Sequence, residues 1–118
     1  MNIENATRDN TDYRRVISTS PQMQLVVMCI LPGEEIGMEK HVNTTQFIRV
    51  ESGHGLTIVE EVKNKPLVMR HFGPGDAIFV MPGHFHNVIN DGNEDLKLYT
   101  LYAPPTHPIG LVEHYKKD

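Results

Sequence analysis

At 118 residues and 13.4 kDa, the chain has room for one hydrophobic core and no second domain. It carries 11 Lys plus Arg against 15 Asp plus Glu, a formal charge of −4 with a pI near 5.9, which argues against the basic stripe of a nucleic-acid surface. No apolar run approaches the roughly 20 residues of a membrane span, and Met1-Asn2-Ile3-Glu4-Asn5 lacks the positive start and apolar stretch of a signal peptide. The single cysteine, Cys29, has no partner for an internal disulfide, so the expected setting is reducing and cytoplasmic.

Apolar residues nowhere recur at three-and-four spacing over a useful window, so no helix is expected. Residues 1–12, rich in Asn and polar, read as a flexible N-terminal arm. Short β-branched, aromatic and aliphatic runs then alternate with turn residues. Strands are expected at Arg14 to Ser18, Gln24 to Leu31, Gln46 to Glu51, Leu56 to Val62 and Leu67 to Phe72. Three more follow at Ala77 to Met81, His86 to Asn90 and Leu96 to Ala103. Pro32-Gly33, Gly53-His54-Gly55, Gly73-Pro74-Gly75, Pro82-Gly83 and Asp91-Gly92 punctuate the series. Regular short strands with strong turn signals predict an all-β antiparallel sandwich or barrel over residues 13–104. The run Gln24 to Leu31 is apolar on both faces, so it is covered on both, within the fold or by a second subunit; a homodimer is expected. Residues 105–118, opening Pro105-Thr106-His107-Pro108, read as a C-terminal tail packing on the barrel or a partner.

Glu39 and His41 stand two apart, so an extended segment projects both from one face. Gln46 has the wrong parity for the same continuous strand, but Val42-Asn43-Thr44-Thr45 can turn the chain and return it to that face. His86 follows some forty residues on. One carboxylate, two imidazoles and an amide carbonyl make a four-ligand set suited to a borderline divalent metal.

These residues sit in a longer pattern. Gly33, Glu39-Lys40-His41, Gln46 and Gly53 are similar to the first cupin motif, G-x5-H-x-H-x4-E-x6-G. Gly75, Met81-Pro82-Gly83, His86 and Asn90 are similar to the second, G-x5-P-x-G-x2-H-x3-N. From about Leu25 to Ala103 the chain thus resembles one small cupin, and Gly75 to Pro105 resembles the mannose-6-phosphate isomerase-like subgroup. The resemblance implies a double-stranded β-helix, the cupin jelly-roll barrel, with metal ligands Glu39, His41, Gln46 and His86. Three positions depart from the motifs. Glu39 stands where a histidine is common, Gln46 where a glutamate is common, and Met81 where a proline is common. The first two offset each other and leave one carboxylate among four ligands.

The activity implied is that of a metal-dependent, isomerase-like protein acting on a small polar, sugar-like molecule in the barrel mouth, with Zn, Mn, Fe or Ni as the ion. A non-catalytic small-molecule binding module and an iron-dependent dioxygenase are the alternatives. His54, His84 and Tyr102 lie near the motifs as unranked candidates for proton transfer. A phosphosugar would need cations in the pocket, and Arg49 and Arg70 are the sequence's candidates. His107 and His114 read as surface residues of the tail unless it wraps and sets one over the mouth. Cys29 reads as an inert core thiol.

Overall fold

The computed structural model describes residues 1–117. One short helix, α1 (Ile3–Asp9), precedes ten strands: β1 (Arg14–Thr19), β2 (Gln24–Ile30), β3 (Glu39–Lys40), β4 (Thr45–Ser52) and β5 (Gly55–Val59), then β6 (Val68–Phe72), β7 (Ala77–Val80), β8 (Phe85–Ile89), β9 (Leu96–Ala103) and β10 (Val112–Glu113). They pair antiparallel in two sheets, six strands in the order β10-β1-β2-β9-β4-β7 and four in the order β3-β8-β5-β6. This is the all-β double-stranded β-helix. Every interior strand read from the sequence forms within a few residues of its expected bounds. The two-residue strands β3 and β10 were not foreseen, because two residues carry no alternation to read.

Strand pleating decides which side chains meet between the sheets. On β2, Val26, Met28 and Ile30 face the core, joined by Ile48 and Val50 of β4 and by Leu96 and Leu98 of β9. Phe72 and Val88 reach in from the smaller sheet. Val27 and Cys29 point to the opposite face of β2 and are also buried. The cover there comes from within the chain. Helix α1 packs against β2, β4 and β9, and the Cys29 amide donates to Asp12 O at 3.0 Å. In that apolar setting burial pushes the Cys29 thiol up to about 11, which keeps it protonated and unreactive.

The helix corrects the expectation of an all-strand chain. Asn2 caps it by accepting from the Asn5 amide at 2.9 Å, Glu4 and Arg8 pair across one turn at 2.9 Å, and Lys97 Nζ donates to Arg8 O at its end. Seven residues are too few to show a period and too few to be stable alone, so tertiary packing holds this helix.

The end of the barrel opposite the candidate ligands is tied by Asn90. Its buried Nδ2 donates to Ile30 O at 2.8 Å and Glu94 O at 2.7 Å, while its Oδ1 accepts from the Gly92 amide at 3.0 Å. Beside it Gly53 adopts φ +85°, and a Cβ there would lie 2.4 Å from Asp95 O and 2.9 Å from Leu96 Cα. Gly75 adopts a similar φ, +88°, in open space. Both Gly53→Ala and Gly75→Ala incur the left-handed backbone cost of about 1–2 kcal/mol. Gly53→Ala also collides with backbone that cannot yield. Chemical denaturation should therefore show Gly53→Ala losing clearly more stability than Gly75→Ala. Equal losses would show that backbone conformation alone requires glycine at position 53.

Candidate metal centre

Register brings the motif residues together. Glu39 on β3 pairs directly with His86 on β8, so their side chains leave the same face a few ångströms apart. After His41, Val42 and Asn43 turn the chain into β4, which carries Gln46 in the other sheet. Gln46 lies opposite Tyr102 of β9, and the Tyr102 ring meets the His41 ring edge-on at 5.7 Å between centroids. A hydrogen bond from the Gly83 amide to His41 O, 2.7 Å, ties the second motif's turn to the first motif. Glu39, His41 and His86 each bring one ligand atom within 4.8 Å of the others. The His41 and His86 rings stand 5.4 Å apart, and His41 Nε2 lies 3.8 Å from Glu39 Oε2.

The chemistry of this cluster is carried by what its atoms lack. Glu39 Oε1, His41 Nε2, Gln46 Oε1 and His86 Nε2 are all buried without a hydrogen-bond partner. Such atoms are costly unless something absent from the protein itself satisfies them. Two of the four are held in place by what surrounds them. Gln46 Nε2 donates to Thr100 Oγ1 at 3.0 Å, which directs the amide oxygen away from Thr100. His86 Nδ1 lies 3.5 Å from His84 O, leaving Nε2 as the acceptor. Burial lowers the His86 pKa to about 4, so the ring is neutral and its lone pair available at physiological pH. Burial raises the Glu39 carboxyl, and the charges of His41 and Arg14 work in the other direction. Four inward acceptors carrying one carboxylate between them fit a borderline divalent cation.

The proton-transfer candidates separate. Tyr102 lies in the cluster, 1% exposed, and burial raises its hydroxyl pKa, with Glu39 adding to the rise. His84 is turned away: its Nδ1 lies 2.6 Å from Glu60 O, and the ring lines a cleft of about 550 Å³ between β6 and β7. His54 is exposed and packs over Gly73. Neither expected phosphate cation faces the cluster. Arg49 pairs with Glu51 at 3.2 Å, and Arg70 makes two hydrogen bonds to Glu61 on the surface.

Two residues at the centre stand outside the ligand set read from the sequence, one of them His107, for which the wrapped tail is the alternative to a surface position. Arg14 of β1 shares the inward parity of Val16, its side chain 12% exposed, and its Nη1 lies 2.6 Å from Glu113 Oε1 of β10. Burial works against its charge, but the Glu113 bond together with the charge interactions of Tyr102, Tyr13 and Glu113 outweighs burial and keeps it cationic. The other is His107, whose ring stands 5.1 Å from Tyr102. Buried Gln24 places it. Its Oε1 accepts from the Thr106 and His107 amides, and its Nε2 donates to His107 O at 2.8 Å and Thr19 Oγ1 at 3.0 Å. Burial, then the Arg14 charge, lower the His107 pKa to about 4. His114 is bound at the surface, its Nδ1 2.6 Å from Asp12 Oδ1.

Residues 26–102 match the cupin domain family, and the chain belongs to it. It is 42% identical over 118 residues to the uncharacterized protein YrkC of Bacillus subtilis, covering 100% of this chain and 63% of that one. It thus spans less than two thirds of YrkC. It is 40% identical over 114 residues to the uncharacterized protein L612 of Acanthamoeba polyphaga mimivirus, covering 96% of this chain and 69% of that one. Among solved structures, BH2720 from Bacillus halodurans superposes with a TM-score of 0.91 at 40% identity, over 97% of this chain and 86% of that one.

The Gln24 clamp makes a direct prediction. Gln24→Ala removes four hydrogen bonds made by a buried side chain, and should cost about 2–4 kcal/mol. Hydrogen exchange at the Thr106 and His107 amides should accelerate beyond the global change. Unchanged protection there would show that the tail is held by other contacts.

Proposed function

We propose that this cupin holds one divalent cation on Glu39, His41, Gln46 and His86 and acts on a small polar molecule at the barrel mouth, as an isomerase of the mannose-6-phosphate isomerase-like kind. The observation that carries the reading is that Glu39, His41 and His86 bring ligand atoms within 4.8 Å of one another, and that these residues and Gln46 each hold a buried polar atom with no partner in the protein. Bound there, Zn, Mn, Fe or Ni would supply a Lewis acid able to polarise a substrate carbonyl.

The chain's own groups do the rest. Glu39 offsets part of the ionic charge, and Thr100 and the His84 carbonyl aim Gln46 and His86. Tyr102 keeps its proton at neutral pH and so serves as a hydrogen-bond donor to substrate oxygen rather than as a base. With Arg49 and Arg70 engaged by carboxylates elsewhere, the likeness to phosphosugar isomerases extends to the metal and not to a phosphate cradle. A homodimer belongs to this reading, supported by the exposed side chains of Met69, Phe79 and Met81 along the free edges β6 and β7.

One observation favours a second reading. Glu39, His41 and His86 are two imidazoles and one carboxylate, the donor set of non-haem iron oxygenases. Elemental analysis of untagged protein, wild type beside His41→Ala plus His86→Ala, tests both readings. Near one equivalent of metal in wild type and none in the double variant is expected. Zinc or manganese, with turnover in an isomerase panel, supports the first reading. Iron with oxygen uptake supports the second. Little metal in either protein, even after reconstitution with each ion, contradicts both and leaves a metal-free binding module.

A further inference from the structure

Eight buried side-chain nitrogen and oxygen atoms lack hydrogen-bond partners among the described residues. Two of them, Arg49 Nε and Glu51 Oε1, belong to one ion pair. Four are the acceptors assigned above to a cation. The two that remain, Arg14 Nε and His107 Nε2, lie beside that cation site and have the opposite character. Arg14 Nε–H can only donate, and His107 donates from Nε2 in the tautomer that carries its proton there. Their charges and positions connect them to the centre. The Arg14 charge acts on Glu39, Tyr102 and His107, and the His107 ring packs on Tyr102, which in turn meets His41.

We infer that Arg14 and His107 form an anion subsite next to the cation site, and that the small molecule taken by the barrel carries a carboxylate. A group that accepts from both would satisfy them, and buried donors are as costly to orphan as buried acceptors. Charge decides its kind. A divalent cation and the Arg14 guanidinium, set against the carboxylates of Glu39 and Glu113, leave one positive charge, which balances a monoanion. A dianionic phosphate would bring two negative charges against those two carboxylates. The planar carboxylate also offers two oxygens, one for each donor. The subsite is assembled from distant parts of the chain. β1 supplies Arg14, β10 orients it through Glu113, and Gln24 of β2 fixes the His107 backbone at its amide and its carbonyl.

The inference rests on the reading of the site as metal-binding, and calorimetry can separate the two. Wild type, Arg14→Lys and His107→Phe are each prepared metal-free and loaded with zinc, with metal content measured first. Arg14→Lys keeps the charge facing Glu113 and removes Nε–H from its place. His107→Phe keeps a ring against Tyr102 and removes Nε2. Titration uses L-lactate, 1,2-propanediol as its uncharged counterpart, and inorganic phosphate. The expected result is lactate binding at least tenfold tighter than propanediol or phosphate in wild type, and at least tenfold weaker in each folded variant, with zinc content unchanged. Lactate bound equally well by the folded variants overturns the subsite, since the carboxylate would then be held by the metal alone. Phosphate binding tighter than lactate overturns the assignment to a carboxylate. If wild type takes no zinc, the metal reading fails, and lactate titrated into the metal-free proteins decides the subsite. Binding weakened by both variants supports it, and no binding overturns it.

Discussion

A buried acceptor without a donor costs a protein about 1–3 kcal/mol, and this barrel concentrates four at one end, on Glu39, His41, Gln46 and His86. The surrounding structure does not relieve that cost; it maintains it. Thr100 holds the Gln46 amide by its nitrogen, the β3–β8 register fixes Glu39 opposite His86, and the Gly83 amide pins the His41 backbone. A fold that needed only stability would let these side chains pair among themselves or turn to solvent. The arrangement makes sense when a cation completes it, and the β3 strand and the turn at Val42-Asn43 are then understood as the parts that deliver ligands from both sheets to one point.

The opposite end of the barrel shows the complementary solution. There Asn90 satisfies Ile30 O and Glu94 O and takes the Gly92 amide in return, so its polar atoms are paired within the protein. Gly53 is required because Asp95 and Leu96 pass where its side chain would stand. Both are motif positions, yet their work is architectural. One end of the barrel is closed by internal hydrogen bonds, and the other leaves unpartnered acceptors beside unpartnered donors.

Much of this was legible in the sequence because strands announce themselves by turns and alternation. Gly33, Gly53, Gly75 and Gly83 mark chain reversals with positive φ, and the interior strands fall between them. The grouping of Glu39, His41 and His86 could be read because Glu39 and His41 are close in sequence and the motif spacing carries His86 with them. Arg14 and His107 could not be read this way. Arg14 faces inward through pleat parity with Val16 and is oriented by Glu113, 99 residues away. His107 follows a proline-rich segment with no strand signal, and it reaches the centre because Gln24, 83 residues earlier, holds its backbone. Helix α1 was hidden for a different reason: its stability comes from the sheet it covers, so its seven residues show only a capping Asn2 and a Glu4–Arg8 pair.

The central claim is that the four orphaned acceptors share one ion. Crystals soaked in zinc, with data collected on both sides of the zinc absorption edge, test it most directly. The account predicts a single anomalous peak in contact with Glu39 Oε1, His41 Nε2, Gln46 Oε1 and His86 Nε2 together. A peak that leaves Gln46 out, a peak elsewhere on the chain, or none at this end of the barrel would contradict it.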